Sequence, residues 1–583
     1  MISLIQYIVP YFGYVLGAVV LLFGQAACDL ALPDFMSDIV NEGITTGNAS
    51  YILQAGAQML GVSLLSAACS VAVGLLASRA AAGVSRDLRI DIFEKVESFS
   101  NAEFDRFSTS SLITRTTNDI TQIQMLIVMM IRMVFYAPIM GVGGFFHALA
   151  KSTSMSWIIG IAVTILIGLV MIMFTAAVPK FKIVQNLIDR LNLVVRENLD
   201  GMLVVRAFNT QRFEEDRFDQ VNGTLTATNL FVNRITAGMM PAMMLLMNLV
   251  TVLVVWVGAH QVSSFQMEVG DMMAYMQYVM QIIMAFLMMS MMFIMIPRAS
   301  VSANRVAEVL AAEASVEDEE DLLLPEEEKK DGARRGGGEV VFDHVSFHYP
   351  DADEDVLHDI SFTAKPGQTT AFIGSTGSGK SALVNLIPRF YDVTGGEIRI
   401  DGVPLKRLRL HDLRNRLGYV PQKGVLFSGT IRSNLAYADP EASEEQIVSA
   451  AAIAQAMEFI ESKPERFDTP VAQGGGNVSG GQKQRLSIAR ALVKRPQIYI
   501  FDDSFSALDF KTDSALRAAL KEQTGDSTVL LVAQRISTIM GAEQIIVLDH
   551  GRIKGIGTHR ELLDSCDIYR EIALSQLSEE ELQ

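Results

Sequence analysis

The run Gly374-Ser375-Thr376-Gly377-Ser378-Gly379-Lys380-Ser381 sits between an apolar stretch, TTAFI, and a helical one, ALVNLI. Glycines in such a loop let backbone N–H groups converge on phosphate oxygens, and the helix that follows adds a favourable dipole. Lys380 can then reach terminal phosphates, and the Ser381 hydroxyl can ligate Mg²⁺. A second run, IYIFDD, carries two adjacent carboxylates, Asp502 and Asp503, to the end of an apolar strand. Asp502 is suited to holding magnesium, directly or through water. A third run, Asn477-Val478-Ser479-Gly480-Gly481-Gln482, opens a helix and is an anion site in its own right. One nucleotide does not need two phosphate cradles from one chain, so this second cradle is expected to close over ATP held by another chain.

The elements that position these residues differ sharply between the two halves of the 583-residue chain. From 339 onward, short β-rich runs alternate with helices, the pattern of an α/β nucleotide-binding domain. Before 310, six long apolar stretches occur near 10–33, 55–77, 123–149, 155–178, 236–260 and 272–297, each able to cross about 30 Å of hydrocarbon. No small-residue cleavage site follows a short apolar region, so the first stretch is read as a retained span. The connections 79–119 and 179–235 are rich in Lys and Arg, whereas 34–54 and 261–271 have none and 150–154 has only Lys151. The long connections are therefore expected to be cytoplasmic, with both termini inside, in a plasma (bacterial inner) membrane. Their helical periodicity, as in LRIDIFEKVESF, extends the membrane helices into the cytoplasm. Between the halves, 313–331 holds ten acids and two bases, and GARRGGG follows it. The expected domains are thus a transmembrane domain 1–310, an acidic and Gly-rich linker 311–338 and an ATP-binding cassette 339–583. The acidic balance, −17 overall, argues against nucleic acid as the partner. Cys28, Cys69 and Cys566 fit neither a disulfide framework nor a metal cluster.

With GSTGSGKS, VSGGQ, IYIFD and the turn SALD behind six spans, the sequence resembles the ATP-binding cassette (ABC) transporters, specifically exporter-type half-transporters, over nearly its whole length. That resemblance implies ATP and Mg²⁺ as cofactors, with Gly374 to Ser381 as the phosphate loop and Ser479, Gly480, Gly481 and Gln482 as the signature. It implies that Tyr349 in VSFHYP stacks on adenine. Gln422 in YVPQ would join magnesium to the membrane half, alongside Ser381 and Asp502, and Asp509 in SALD would face the second cassette. It also implies that 110–119 and 204–218 form short coupling helices on the cassettes.

Two positions depart from the family pattern. Asp503 stands where the family usually has the Glu that polarises attacking water, and Gln534 in LLVAQRIST stands where it usually has His. Ala472 and Gln473 also replace the usual Gly and Glu ahead of the signature. One methylene withdraws a carboxylate by about 1 Å, a misplacement worth about 10²-fold in rate. Gln can donate a hydrogen bond but cannot become an imidazolium. The expectation is a chain with a hydrolysis-impaired site and an intact signature. Its partner would be a second half-transporter carrying Glu and His, forming a heterodimer that resembles the degenerate-site multidrug or lipid exporters.

The expected cargo is a hydrophobic or amphipathic small molecule or lipid. Asp29 and Arg132 fall in or near spans and are candidates for function, although an outer-face position for Asp29 and snorkelling for Arg132 are the simpler expectations. The methionine-rich runs 239–247 and 272–295 suit a pliable cavity or plain helix packing. The alternative function is an ATP-gated channel or regulatory subunit in which nucleotide binding acts as a switch.

Overall fold

The computed structural model describes residues 2–318, 337–350, 352–578 and 580–582, so 319–336 of the acidic linker lies outside the described residues. The chain forms two compact units: residues 1–97 with 110–312, and residues 98–109 with 313–583.

The first unit is helical. Among the described residues, six helices are long and apolar enough to cross a membrane: Gln6–Ile44, Ala49–Glu97, Thr109–Lys151, Thr153–Ile172, Gln211–Ser263 and Val269–Met289. Several run far beyond hydrocarbon thickness, as the periodic connections require. At about 1.5 Å per residue, Gln211–Ser263 is close to 80 Å long. The first helix continues through Pro33 into a π-helical turn at Ile39–Ile44, so Asp29 lies well inside it. A shared core gathers Ala26, Leu30, Met140, Met155, Met243, Tyr275, Tyr278 and Ile282. Met272, Met276, Met288 and Met289 are half-buried against it, while Met240 and Met244 are exposed. Those methionines divide between packing and surface.

In the second unit the strands are β1 (Val340–Phe347), β2 (Leu357–Ala364), β3 (Thr369–Gly374), β4 (Gly395–Ile400), β5 (Val403–Pro404) and β6 (Leu417–Val420). They continue with β7 (Gly429–Thr430), β8 (Pro470–Val471), β9 (Ile498–Asp502), β10 (Thr528–Val532), β11 (Gln544–Asp549) and β12 (Arg552–Gly557). One antiparallel sheet has the order β2-β1-β4-β5, a mixed sheet has the order β12-β11-β3-β10-β9-β6, and β7 pairs with β8. Strands β3, β6, β9, β10 and β11 run parallel. Strands β9 and β10 are buried on both faces, which explains their unbroken apolar runs. Ala371, Ile373, Tyr499, Phe501 and Leu531 pack on one side of the sheet, and Phe372, Ile498, Ile500, Leu530 and Val532 on the other. Each such large side chain contributes about 1.5–3 kcal/mol on burial.

The segment 98–109 belongs to this unit. Its helix Asn101–Phe107 is capped by Ser100 and Glu103, and Glu103 accepts from the Ser315 amide at 3.2 Å. Tyr391 Oη donates to Asp105 Oδ2 at 3.0 Å, and Ala102 packs on the core behind β1. The segment expected to dock, 110–119, instead groups with the membrane helices, where Asp119 is held by Ser302 and Arg305. The docking helix is therefore the element just before it. Continuous helical periodicity hides the break at Ser98–Ser100, and the only local mark is the capping box. Residues 204–218 also stay with the first unit, as the end of Met202–Ala207 and the start of Gln211–Ser263.

Candidate active site

Strand register assembles the site. Val532 of β10 pairs with Phe372 of β3 and with Asp502 of β9, and Val420 of β6 pairs with Phe501. The loops leaving these carboxyl ends therefore carry Gly374–Ser381, Gln422, Asp503 and Gln534 to one edge, where open parallel sheets bind ligands.

The phosphate loop is built on glycine conformations. Gly377 and Gly379 have φ of +82° and +96°, in the left-handed region. A Cβ on Gly374 would lie 2.0 Å from the Leu548 carbonyl oxygen, so the loop also needs glycine for close approach. Lys380 Nζ donates to the carbonyls of Gly374 and Ser375 at 2.9 and 2.8 Å. Burial holds its ammonium below the usual lysine range, against the opposing pull of Asp503 and Asp502. Ser375, Thr376 and Gly377 are exposed, and Ser378 is buried beneath them.

Ser381 Oγ donates to Asp502 Oδ1 at 2.9 Å. Burial raises the Asp502 carboxyl above its ordinary range, the Ser381 bond opposes this, and the Asp503 charge adds to it. A hydroxyl and a carboxylate already in contact are hard oxygen donors of the kind Mg²⁺ takes, so the residues fit that ion. Bound there, magnesium would neutralise charge on the phosphates.

Asp503 is 6% exposed and has a left-handed backbone, φ +46°. Its N–H donates to the Val532 carbonyl at 3.0 Å. Its Oδ2 accepts from both Gln534 Nε2 at 2.8 Å and Gln422 Nε2 at 3.1 Å. Burial raises its carboxyl, the Gln422 bond and the Lys380 charge oppose this, and the Ser506 and Gln534 bonds do so as well. Two amide donors thus converge on one oxygen of this buried carboxylate.

The remaining expected residues stand apart from this cluster. Ser479 and Gln482 form a reciprocal cap on the helix Gly480–Lys494, leaving Ser479 and Gly480 exposed. Asn477 braces the turn before it through the Ala472 amide and the Pro470 carbonyl, at 2.9 and 2.8 Å. Gly481 lies against the SALD turn, where a Cβ would come 3.2 Å from the Ala507 carbonyl oxygen. Asp509 caps the helix Phe510–Gln523 by accepting from the Thr512 amide and hydroxyl, which lower its carboxyl below the ordinary range. Tyr349 packs edge-on against Phe347 and Tyr391, with ring centres 5.0 and 5.3 Å away.

Sequence reasoning missed Gln576. From the C-terminal helix Asp567–Gln576, its side chain donates to the Gln534 carbonyl and accepts from the Ile536 amide, both at 2.8 Å. The sequence carries no local signal for a clamp made across forty-odd residues.

Six apolar helices ahead of a phosphate-binding cassette define a membrane transporter driven by ATP. Comparison with known proteins agrees. The family model for the ABC transporter transmembrane region matches residues 15–286, and the one described as ABC transporter matches 357–506. An uncharacterized ABC transporter ATP-binding protein of Mycobacterium tuberculosis is 41% identical, with 98% of this chain and 97% of that protein covered. An ATP-dependent lipid A-core flippase of Alkalilimnicola ehrlichii is 31% identical, with 96% and 93% covered. A solved bacterial Atm1-family ABC exporter with ATP bound superposes with a TM-score of 0.79 at 25% identity, covering 97% of this chain and 98% of that one. The chain belongs to the ABC transporter family, as an exporter-type half-transporter with one membrane domain fused to one cassette.

Proposed function

We propose that this chain is the hydrolysis-impaired half of a heterodimeric ABC exporter of hydrophobic or amphipathic compounds, lipids included. The observation that carries the reading is the Asp503 clamp: the carboxylate in the base position is bonded by two glutamine amides. A base so engaged is a poor acceptor for a water proton, and an amide at 534 supplies no imidazolium charge. Gly374 to Ser381 would hold the phosphates, Ser381, Gln422 and Asp502 the magnesium, and Tyr349 the adenine. The exposed Ser479–Gly480 start of its helix would complete the nucleotide site of a partner chain that supplies Glu and His. Asp509, at the adjoining turn, would face that partner. The chain would lie in the plasma membrane with both termini and the cassette cytoplasmic. A lipid flippase among the relatives supports an amphipathic cargo.

Purification of the chain alone and with a candidate partner tests this reading. The isolated chain is expected to bind ATP with little turnover, and the pair to hydrolyse it. Robust ATPase activity of the chain as a homodimer overturns the proposal.

A further inference from the structure

Asp29 lies about 22 Å of helical rise short of Ile44, inside the first span. Its Oδ1 accepts from Ser66 Oγ at 2.6 Å and its Oδ2 from Tyr136 Oη at 2.7 Å. Gln281 Nε2 donates to its carbonyl oxygen at 3.3 Å. The three partners come from three other spanning helices, so four of the six meet at this carboxylate.

The junction is rich in acceptors and short of donors. A carboxylate offers about four lone-pair sites, and two are used here. The Oε1 of Gln281, on the amide beside Asp29, is buried with no hydrogen-bond partner. The hydroxyl protons of Ser66 and Tyr136 are already committed to Asp29. No ion pair reaches Asp29 among the described residues, and Lys151 is engaged by Asp34 and Asp271 at 3.2 and 2.9 Å. An ionisable group within a span faces the bundle interior rather than lipid, and without a counter-charge it is costly. A cation bearing several N–H donors supplies both missing things. A quaternary ammonium would bring charge alone, and a neutral amide would bring a donor without charge.

We propose that Asp29 and Gln281 form the recognition point for a protonated amine on the exported amphipath. This rests on the export reading above but on none of the residues of the nucleotide site. Two sources share the chemistry: a soluble alkylamine, and a lipid with an ethanolamine headgroup.

The full chain with its partner half, in proteoliposomes, is given a fluorescent long-chain alkylamine and its N-acetylated form. A second arm uses a fluorescent-tailed phosphatidylethanolamine and its N-acetylated form. ATP-dependent transport by the unaltered protein should half-saturate at about tenfold lower concentration for the amine than for the amide, the worth of a charged hydrogen bond. The arm that shows this gap names the source. Asp29→Asn should erase the gap, raising the half-saturating concentration of the amine about tenfold more than that of the amide. Gln281→Leu should narrow it, and gives a second reading if Asp29→Asn folds poorly. An equal loss for amine and amide in both variants, or no change in either, overturns the proposal. Transport of amides without preference for amines by the unaltered protein overturns it while leaving export standing. Absence of ATP-dependent transport in both arms overturns both readings.

Discussion

At the scale of single residues, the short side chain at 503 and the amide at 534 fit each other. A Glu at 503 would push its carboxylate past the position where Gln422 and Gln534 meet it, and a His at 534 would replace an amide donor with a ring N–H that can carry charge. On the proposed reading, neither change alone would rebuild a working arrangement, because such groups act as a unit. Measured in a pair whose partner site is silenced, Asp503→Glu and Gln534→His should each raise ATP turnover by less than about tenfold. The double variant should exceed the product of the two, reaching about 10²-fold. The same carboxylate has a pH signature. Burial raises the Asp503 carboxyl above its ordinary 3.8, so the folded chain binds that proton more tightly than the unfolded one. The stabilisation is present below 3.8 and is lost as pH rises through the folded-state value. Asp503→Asn should therefore raise the melting temperature of the nucleotide-free chain at neutral pH, and the gain should shrink as pH is lowered towards 3.8, followed by thermal denaturation.

At the scale of elements, two helices hold functional loops by their ends. The Gln576 side chain grips both sides of the switch segment through two hydrogen bonds of about 1 kcal/mol each. Gln576→Ala should speed amide hydrogen exchange at Ile536 by about tenfold or more, read by mass spectrometry, with little change at β3 or β9. Ser479 caps the helix Gly480–Lys494 reciprocally with Gln482, so Ser479→Ala should cost about 1 kcal/mol in denaturant unfolding. Elements of this kind were legible in proportion to how local their causes are. The phosphate loop declares itself because strand, glycines, lysine and helix are contiguous, and the caps at Ser479 and Asp509 lie within four residues of their targets. The Asp503 clamp spans sequence separations of 81 and 31 residues and exists only once β6, β9 and β10 are in register. The partners of Asp29 stayed hidden for the same reason, since they are 37, 107 and 252 residues away. The docking helix at Asn101–Phe107 was placed one element too late because a three-residue break between helices leaves no composition signal.

At the scale of the whole molecule, Gly480 would separate folding from the partnership proposed above. A Cβ there meets nothing within 4 Å, and the residue is exposed at a helix start. Gly480→Ala should leave the melting temperature of the chain unchanged or slightly raised, while the ATPase of the pair falls by about tenfold or more, because the added methyl group intrudes only on what the partner holds. Equal activity of the variant pair would separate this helix start from the second nucleotide site. The three-sided clamp at the strand ends also bears on how such a chain changes over generations. On the proposed reading, restoring an independent site would take two substitutions whose single-step intermediates bring little gain, so reversion by single mutations would not be rewarded. On the heterodimer reading proposed above, losing either gene would silence both, so the two would have to be inherited, expressed and assembled together.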